Sequence, residues 1–303
     1  MAYQNVGRPR FYVNVIEWLD AVGYLRMGSS HYRTLPVDPF QFQSTNHSSN
    51  APDTFFDKSF VAILGHNLHS MELTNIRIDG WSSVSGIINF ATGPGVTVPF
   101  DGFSIARFNG GGVDNMTLHN ITTTTLNIGS VVIGTYYDMP HSPDLKVTMT
   151  REMDGVKRIR TKGGADLVDY KYTKSPNWGS WNPWELGVVS GENSRVGRRI
   201  WDISFSYLQG IDAFPEISSL TNYETSNYNS NDPTADTLLE ETNFYSQVIH
   251  KTNGGQLAFL FQPDRNNANP DQFAICKFDM DSFEYKQVAN GVYNISLKIR
   301  EVW

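Results

Sequence analysis

The sequence predicts a mainly β fold, with two β-sandwich or jelly-roll-like domains, an irregular connecting arm and one or two short helices. Apolar and polar residues alternate from Tyr293 to Ile299, the period of a half-buried strand. The same alternation runs from Trp201 to Tyr207 and places its four aromatic or aliphatic residues, Tyr207 included, on one face. Short strand candidates separated by turn residues also follow one another from about residue 55 to 150, as in a sandwich or jelly roll.

The N-terminal part contains a strand candidate at Arg10–Val15 and a short helical turn at Ile16–Val22. A polar break rich in turn residues follows at Ser44–Pro52. We expect four segments along the chain: an N-terminal segment (1–54), a first β-sandwich (55–153), a connecting arm (154–197) and a C-terminal β domain (198–303).

The first β domain opens with Phe60–Leu64, a continuous apolar run typical of a strand buried on both faces. Turn residues such as Asp79-Gly80 and Asp101-Gly102 separate the strand candidates. The further predicted strands are Met71–Asp79, Ile87–Ala91, Ser104–Phe108, Met116–Thr125, Ile128–Tyr136 and Leu145–Met149.

The second β domain contains a long polar loop, 209–236, and then the best helix candidate of the chain. Thr237 and Glu240 have the spacing of a capping box, and Asn253-Gly254-Gly255 ends the helix. The predicted strands here are Ile200–Leu208, Leu257–Phe261, Phe273–Phe278, Phe283–Ala289 and Tyr293–Val302.

Composition limits the partners and the compartment. Charged residues are 18% of the chain and the net charge is −7, so we expect no broad binding to nucleic acid or to an anionic membrane. Cys276, the single cysteine, allows no intramolecular disulfide and is expected to be a buried apolar residue of a strand. The N-terminus shows no signal peptide and no apolar stretch has the length of a membrane span, so we expect synthesis in a cytoplasm.

No pattern in the sequence predicts a reaction centre, so we expect a protein that is not an enzyme and uses no cofactor. The chain lacks the Gly-x-Ser-x-Gly elbow of many hydrolases, and Gly110-Gly111-Gly112 resembles no phosphate-binding loop. A glycosidase needs only two facing carboxylates, which a sequence cannot pair, so a polysaccharide-degrading enzyme stays an alternative.

Two stretches have ligand-like spacing for a metal. His66 and His69 could bind zinc, but no further ligand pair accompanies them, and the simpler interpretation is that they satisfy backbone groups at a strand end. The oxygen-rich stretch Asp264–Asp271 lacks the glycine and terminal glutamate of an EF-hand loop, so Asx turns are the simpler interpretation. We therefore expect no metal.

The predicted arm carries the candidate contact residues. Exposed aromatics can fill a partner's pocket, stack on sugars or pack on their own domain, and all three readings remain open for the tryptophans here. A short basic, hairpin-like stretch precedes them and would suit an acidic partner. The candidate interface residues are Trp178, Trp181, Trp184, Lys157, Arg158, Arg160 and Lys162.

The phrase Phe60-Val-Ala-Ile-Leu-Gly-His-Asn-Leu68, with Ile128-Gly-Ser-Val-Val-Ile-Gly134 later, resembles galactose-binding-like (discoidin-like) jelly rolls of tailed-bacteriophage structural proteins. The C-terminal half, from Gly197 to Leu208 and on to Trp303, is similar to phage tail proteins. The resemblance implies a virion protein of the tail, baseplate or fibre-attachment region, assembled with copies of itself in a ring or trimer and with other virion proteins. A carbohydrate-binding module that recognises a host-surface glycan and a capsid decoration protein are the alternatives.

Overall fold

The computed structural model describes the regular elements of the chain and the segments that join many of them. It covers residues 5–21, 25–27, 34–35, 40–44, 58–65, 76–79, 88–89, 96–100, 103–109, 115–120, 126–127, 130–152, 156–170, 197–215, 242–269 and 272–302.

The described residues are mainly β, as the sequence predicts. The strands are β1 (Arg10–Asn14), β2 (Leu25–Met27), β3 (Thr34–Leu35), β4 (Phe40–Ser44), β5 (Lys58–Leu64), β6 (Ile76–Asp79), β7 (Ile88–Asn89), β8 (Val96–Phe100), β9 (Phe103–Asn109), β10 (Asn115–Asn120), β11 (Leu126–Asn127), β12 (Ser130–Asp138), β13 (Thr148–Glu152), β14 (Val156–Arg160), β15 (Asp166–Tyr170), β16 (Arg198–Gln209), β17 (Phe259–Gln262), β18 (Ala274–Phe278), β19 (Tyr285–Ala289) and β20 (Val292–Glu301).

The described helices are short. Helix α1 (Val15–Ala21) begins where the Asn14 side chain accepts a hydrogen bond from the Glu17 backbone at 3.3 Å, and α2 (Gly210–Ala213) is a single turn. A π-helical turn, Tyr245–Ile249, continues into a 3-10 turn, His250–Thr252. None of the described helices is long and apolar enough to cross a membrane.

Eleven antiparallel strands form one large sheet. Its order is β13-β16-β20-β18-β17-β1-β12-β5-β9-β8, and β19 pairs with β20 beside this path. The smaller sheets are β2-β4-β10-β6-β7, β11-β3 and β14-β15. Strand β1 lies in the middle of the large sheet, between β12 and β17, and so joins strands of the predicted first and second β domains. The four predicted segments and their boundaries stay a prediction.

The predicted alternation of buried and exposed side chains is confirmed in the C-terminal strands. Ile295, Leu297 and Ile299 of β20 are buried, whereas Ser296 and Lys298 are exposed. On the paired strand β16, Trp201, Ile203 and Phe205 are also buried. They lie opposite Ile299, Leu297 and Ile295. Each strand therefore gives one face to the core and the other to solvent.

The predicted position of Tyr207 on that buried face is wrong. A β-bulge shifts the register between Phe205 and Leu208, so Leu208 is buried and Tyr207 is 74% exposed. Tyr207 has a φ of 62°, in the left-handed region, and its N–H donates to Asn294 Oδ1 at 3.0 Å. The extra residue of the bulge reverses the alternation at this point.

The large sheet packs on both faces. One core takes side chains of β1, β12, β16, β17, β18 and β20 under the π-helical turn, which contributes Val248 and Ile249. The other core lies between β5, β9 and β12 and the opposite face of β1, β17 and β18. Phe60–Leu64 is 0–1% exposed, which confirms the predicted strand buried on both faces, and Cys276 is buried in β18 as expected.

Some predicted boundaries need correction. Leu145 was predicted in a strand but is fully exposed, because Asp144 is bound to Ser206 by its carboxylate and Val147 N–H turns back to Leu145 O at 3.2 Å. Strand β13 therefore begins only at Thr148. Strand β8 was not predicted at all, since it contains Pro99, a residue that strands usually exclude.

The predicted helix is confirmed from residue 244 to 252, although its first turns are π-helical rather than α-helical. It ends as predicted, at Asn253 in the left-handed conformation with φ 50°. The predicted capping box at Thr237 and Glu240 lies outside the described residues.

Candidate interaction surface

The basic stretch that was predicted to be hairpin-like folds as a hairpin. Strands β14 and β15 pair antiparallel in regular register. Two hydrogen bonds close the turn: Thr161 N–H donates to Ala165 O at 2.9 Å, and Gly164 N–H donates to Thr161 O at 3.0 Å. Gly164 has a φ of +85°, where glycine has no steric cost. We call residues 156–170 the basic hairpin.

The four cationic side chains of the basic hairpin that were predicted to make contacts, Lys157, Arg158, Arg160 and Lys162, are all exposed. Arg160 Nε lies 4.0 Å from Asp166 Oδ1, and the two side chains are 80% and 51% exposed. An ion pair this open to water contributes little to stability. The guanidinium and ammonium groups are therefore accessible to carboxylates of another molecule.

One face of the basic hairpin carries an exposed aliphatic pair, with Lys157 on the same face. Residues directly opposite each other in an antiparallel pair lie on the same face, and Ile159 is opposite Leu167. These two aliphatic side chains are 48% and 59% exposed. Arg158 and Arg160 belong to the other face, because side chains alternate along a strand. Aliphatic residues beside arginines are a composition that suits a protein interface.

The basic hairpin has no third strand among the described residues, where β14 and β15 hydrogen-bond only to each other. A two-stranded hairpin alone is marginally stable in water at best. Burial of its exposed aliphatic pair against a partner would add apolar contact that the hairpin lacks by itself. Among the described residues, the basic hairpin is therefore an exposed element whose aliphatic pair is not covered by another strand.

The other predicted contact residues, Trp178, Trp181 and Trp184, lie outside the described residues. The choice between self-packing, a protein interface and sugar stacking stays open for them. His66 and His69 also lie outside the described residues.

The oxygen-rich loop after β17 forms Asx turns, as the simpler interpretation predicts. Asp264 Oδ1 accepts from Asn266 N–H at 3.0 Å, and Asn267 Oδ1 accepts from Asn269 N–H at 3.1 Å. Residues 270 and 271 lie outside the described part. Over the described ranges, no three side chains of the His, Cys, Asp and Glu types lie close enough together to hold a metal ion.

A polar cluster joins the three central strands of the large sheet. Arg10 of β1 makes two hydrogen bonds to the Asp138 carboxylate of β12, at 2.6 and 3.0 Å. Arg265, which follows β17, lies 3.5 Å from the same carboxylate. Tyr12 Oη donates to Gln262 Oε1 at 2.9 Å. Each group has a partner, so the cluster holds β1, β12 and β17 in register.

The neighbouring charges in this cluster favour the ionised forms of Asp138 and Arg10. Burial opposes ionisation of Asp138, but its hydrogen bonds to Arg10 and the charges of Arg10 and Arg265 outweigh burial and lower its pKa. Burial also opposes the charge of Arg10, yet Asp138 holds the pKa of Arg10 above its ordinary value. The pair is therefore ionised throughout the physiological range.

A cleft of about 210 Å³ lies beside β13 and is lined by Arg151, Arg199 and Gln272, among others. The Arg199 guanidinium is held in place, since it donates to both Glu301 carboxylate oxygens and to Phe273 O. Gln272 is 3% exposed, and its Oε1 has no hydrogen-bond partner among the described residues. A buried acceptor without a partner is costly unless a donor satisfies it.

The helical segment before β17 buries a lysine completely. Lys251 Nζ donates to Gln247 Oε1 at 2.9 Å, and burial lowers the pKa of the Lys251 amine to about 7. Its neighbour His250 packs edge-on against Trp18 of α1, with ring centroids 5.5 Å apart. Lys251 is 0% exposed, so its amine does not contact solvent. The charge state of this amine therefore affects the stability of the fold.

Sequence reasoning did not find Arg10, Asp138 or Lys251. Arg10 and Asp138 are 128 residues apart, and each stands at the end of a strand where a charged residue is ordinary. A lysine in a helix is also ordinary, and only the packing shows that Lys251 is buried. No local signal in the sequence would have marked any of the three.

No protein-family model, curated protein or solved structure matches this chain.

Proposed function

We propose that this chain is a non-enzymatic structural protein of a tailed-phage virion, in the tail, baseplate or fibre-attachment region. Its work is assembly, and the basic hairpin docks on an acidic surface of a neighbouring subunit. The strand patterns that resemble phage jelly rolls and tail proteins support the virion assignment. The exposed two-stranded basic hairpin carries the assembly assignment, because it offers cations and an aliphatic pair that no described strand covers.

Charge distribution supports a partner made of similar subunits. The basic hairpin has four cations and two carboxylates, a charge of +2 within a chain of −7, so the other 288 residues carry −9. Opposite charges on hairpin and remainder steer association and suppress wrong partners. A neighbouring copy or another acidic virion protein would therefore attract the hairpin.

The test is a charge reversal in the full chain, K157E/R158E/R160E. We expect this variant to lose higher-order assembly, measured as mass by light scattering at low ionic strength, with unchanged circular dichroism. Assembly of the wild-type protein should weaken as salt rises, because exposed charges are screened beyond about 8 Å at 0.15 M ionic strength.

The matched control is K146E/K277E/K286E, which changes the net charge equally at three exposed lysines outside the hairpin. We expect this control to assemble like the wild type. Equal assembly of both variants would contradict a role for the basic hairpin. Equal loss in both would show that overall charge decides assembly.

The tryptophans of the predicted arm are a second group to test. We expect W178A/W181A/W184A to abolish higher-order assembly while the β-sheet signal in circular dichroism persists. Normal assembly of this variant would remove the tryptophans from the interface and leave the charge reversal as the test of the hairpin.

A carbohydrate-binding module is the second candidate function, and the cleft beside β13 favours it. Arg151 and Gln272 line this cleft and bring polar side chains to it. A glycan array would detect such binding, and Q272L, which removes the polar group, should lower it if the cleft is the site. An array without hits would count against this function and leave the assembly proposal intact.

A further inference from the structure

The large sheet ends in three edge strands among the described residues: β8, β13 and β19. An edge strand presents unpaired N–H and C=O groups, which form a template for a strand of another chain. Proteins that must stay apart protect such edges with prolines, bulges and lysines. The three edges therefore differ in what they can bind.

Two of the edges carry these protections. Strand β8 contains Pro99, and its pairing with β9 is irregular between Thr97 and Phe100. Strand β19 contains Lys286, and its register with β20 shifts between Gln287 and Ala289. Neither edge is a regular template for a further strand.

The third edge has no neighbouring strand in the part of the chain that the structure describes. Strand β13 pairs with β16 in unbroken register over its five residues, and it has neither proline, lysine nor bulge. Its first four residues, Thr148 to Arg151, are exposed, and its last, Glu152, lies 2.5 Å from Arg300 of β20. A regular strand with two threonines and an exposed methionine favours pairing.

Exposed apolar side chains concentrate in the part of the sequence that contains this edge strand. Seven large hydrophobic residues are exposed among the described ones, and four of them lie between residues 145 and 167. Leu145 and Met149 belong to β13 and the turn before it, and Ile159 and Leu167 belong to the basic hairpin. Leu145 and Met149 give β13 and the turn before it exposed apolar area that pairing with a second copy would cover.

We propose that β13 pairs antiparallel with β13 of a second copy across a two-fold axis at Thr150, so that the large sheet continues through two subunits. The two copies use the same patch, as a two-fold interface requires. This contact is separate from the docking of the basic hairpin and does not depend on it.

The sequence of β13 is complementary to itself in this register. Thr150 faces its own copy, Met149 faces Arg151 of the partner subunit, and Thr148 faces Glu152 of the partner subunit. No like charges stand opposite each other, and the β-branched threonines and the methionine suit cross-strand pairs. Each copy also satisfies backbone groups that the edge leaves unpaired.

The test uses the full chain in the K157E/R158E/R160E background, where the proposed hairpin contact is removed. We expect a dimer, with twice the chain mass of 34.1 kDa, by light scattering or sedimentation. Adding T150K places two lysines opposite each other at the axis, so the mass should fall to that of a monomer. Adding Q287K, a lysine on the protected edge β19, should leave the dimer unchanged.

Cross-linking checks the register. Cys276 is fully buried, and burial raises the pKa of its thiol, so it gives no background with an oxidant or a short bis-maleimide. T150C should form covalent dimers, whereas Q287C should not. A monomer in the K157E/R158E/R160E background, or equal cross-linking at both positions, would overturn β13 pairing and leave the hairpin proposal standing.

Discussion

The rings of Phe103 and Phe273 lie with their centroids 5.0 Å apart, although four strands separate β9 from β18 in the sheet. With strands spaced about 4.8 Å apart, a flat sheet would hold the two about 24 Å from each other. The sheet therefore coils until β9 packs onto β18. This coiling explains how a single sheet encloses a core, as the two packed sheets of a predicted sandwich would.

We predict that F103A and F273A each lower the free energy of unfolding by about 3–5 kcal/mol, because each leaves a large cavity where β9 packs against the start of β18. Their effects should not add, and a double-mutant cycle should give a coupling of about 0.5–1.5 kcal/mol for the ring pair. Urea denaturation of the four proteins measures this. Strict additivity would mean that the two rings do not meet.

The central ion pair gives a second prediction. R10M should lower the free energy of unfolding by about 3–5 kcal/mol, since it leaves the Asp138 carboxylate buried without its hydrogen-bonded cation and with only the weaker charges of Arg265 and Lys58. Replacing both partners, in R10M/D138L, should cost less than R10M alone, because no carboxylate is then left behind. Urea denaturation at pH 7 compares them. A larger loss in the double variant would show that Asp138 has a role without Arg10.

Acid stability follows from the lowered pKa of Asp138. The folded state holds this carboxylate ionised below the ordinary pKa of 3.8, so its contribution is complete above about pH 4. The contribution is lost as the pH falls through the folded-state value. We expect D138N to be less stable than the wild type at pH 7 and the difference to shrink below pH 4, as measured by thermal unfolding across pH. A constant difference would contradict the assignment.

Buried Lys251 makes stability depend on pH in the neutral and alkaline range. Its pKa falls from 10.5 to about 7 on folding, so between these values the unfolded chain binds more protons than the folded one. Stability should therefore rise with pH from about 7, by at most about 1.4 kcal/mol per unit. The stability difference between the wild type and K251M, measured from pH 6 to 9.5, isolates this effect, because other groups cancel. A difference that does not vary with pH would show that Lys251 stays protonated.

The bulge in β16 predicts a stabilising substitution. Tyr207 has φ 62° and is 74% exposed, so its side chain contributes little packing while its backbone is strained. Y207G should raise the free energy of unfolding by about 0.5–1 kcal/mol, the relief of strain less the entropy that glycine adds to the unfolded chain. Q209G, at a residue with an ordinary φ of −70°, is the control and should lower it. A loss of stability in Y207G would show that the tyrosine ring makes a contact worth more than the strain.

Local patterns predicted much of the sheet. Period-two alternation located β16 and β20, and the apolar run Phe60–Leu64 located β5, because both patterns follow from which face of a strand is buried. The hairpin at residues 156–170 was visible in its glycine turn and its cations. These features depend on residues close in sequence.

The remaining features depend on distant contacts. Tyr207 was assigned to the wrong face because a bulge depends on how β20 pairs opposite it. The Arg10–Asp138 pair joins strands 128 residues apart, and Lys251 is buried only by the elements around it. The open edge at β13 likewise appears only once the order of the strands is known.

The position of β1 has a consequence for synthesis on the ribosome. Phe11 of β1 is opposite Phe261 of β17, so one edge of this strand stays unpaired until residues 250 positions later have been translated. At a translation rate of 5–20 residues per second, that delay is roughly 12 to 50 seconds. During this time the nascent chain has an open strand at what becomes the centre of its sheet, which makes the growing chain, rather than the finished protein, the form most exposed to aggregation and most in need of a chaperone.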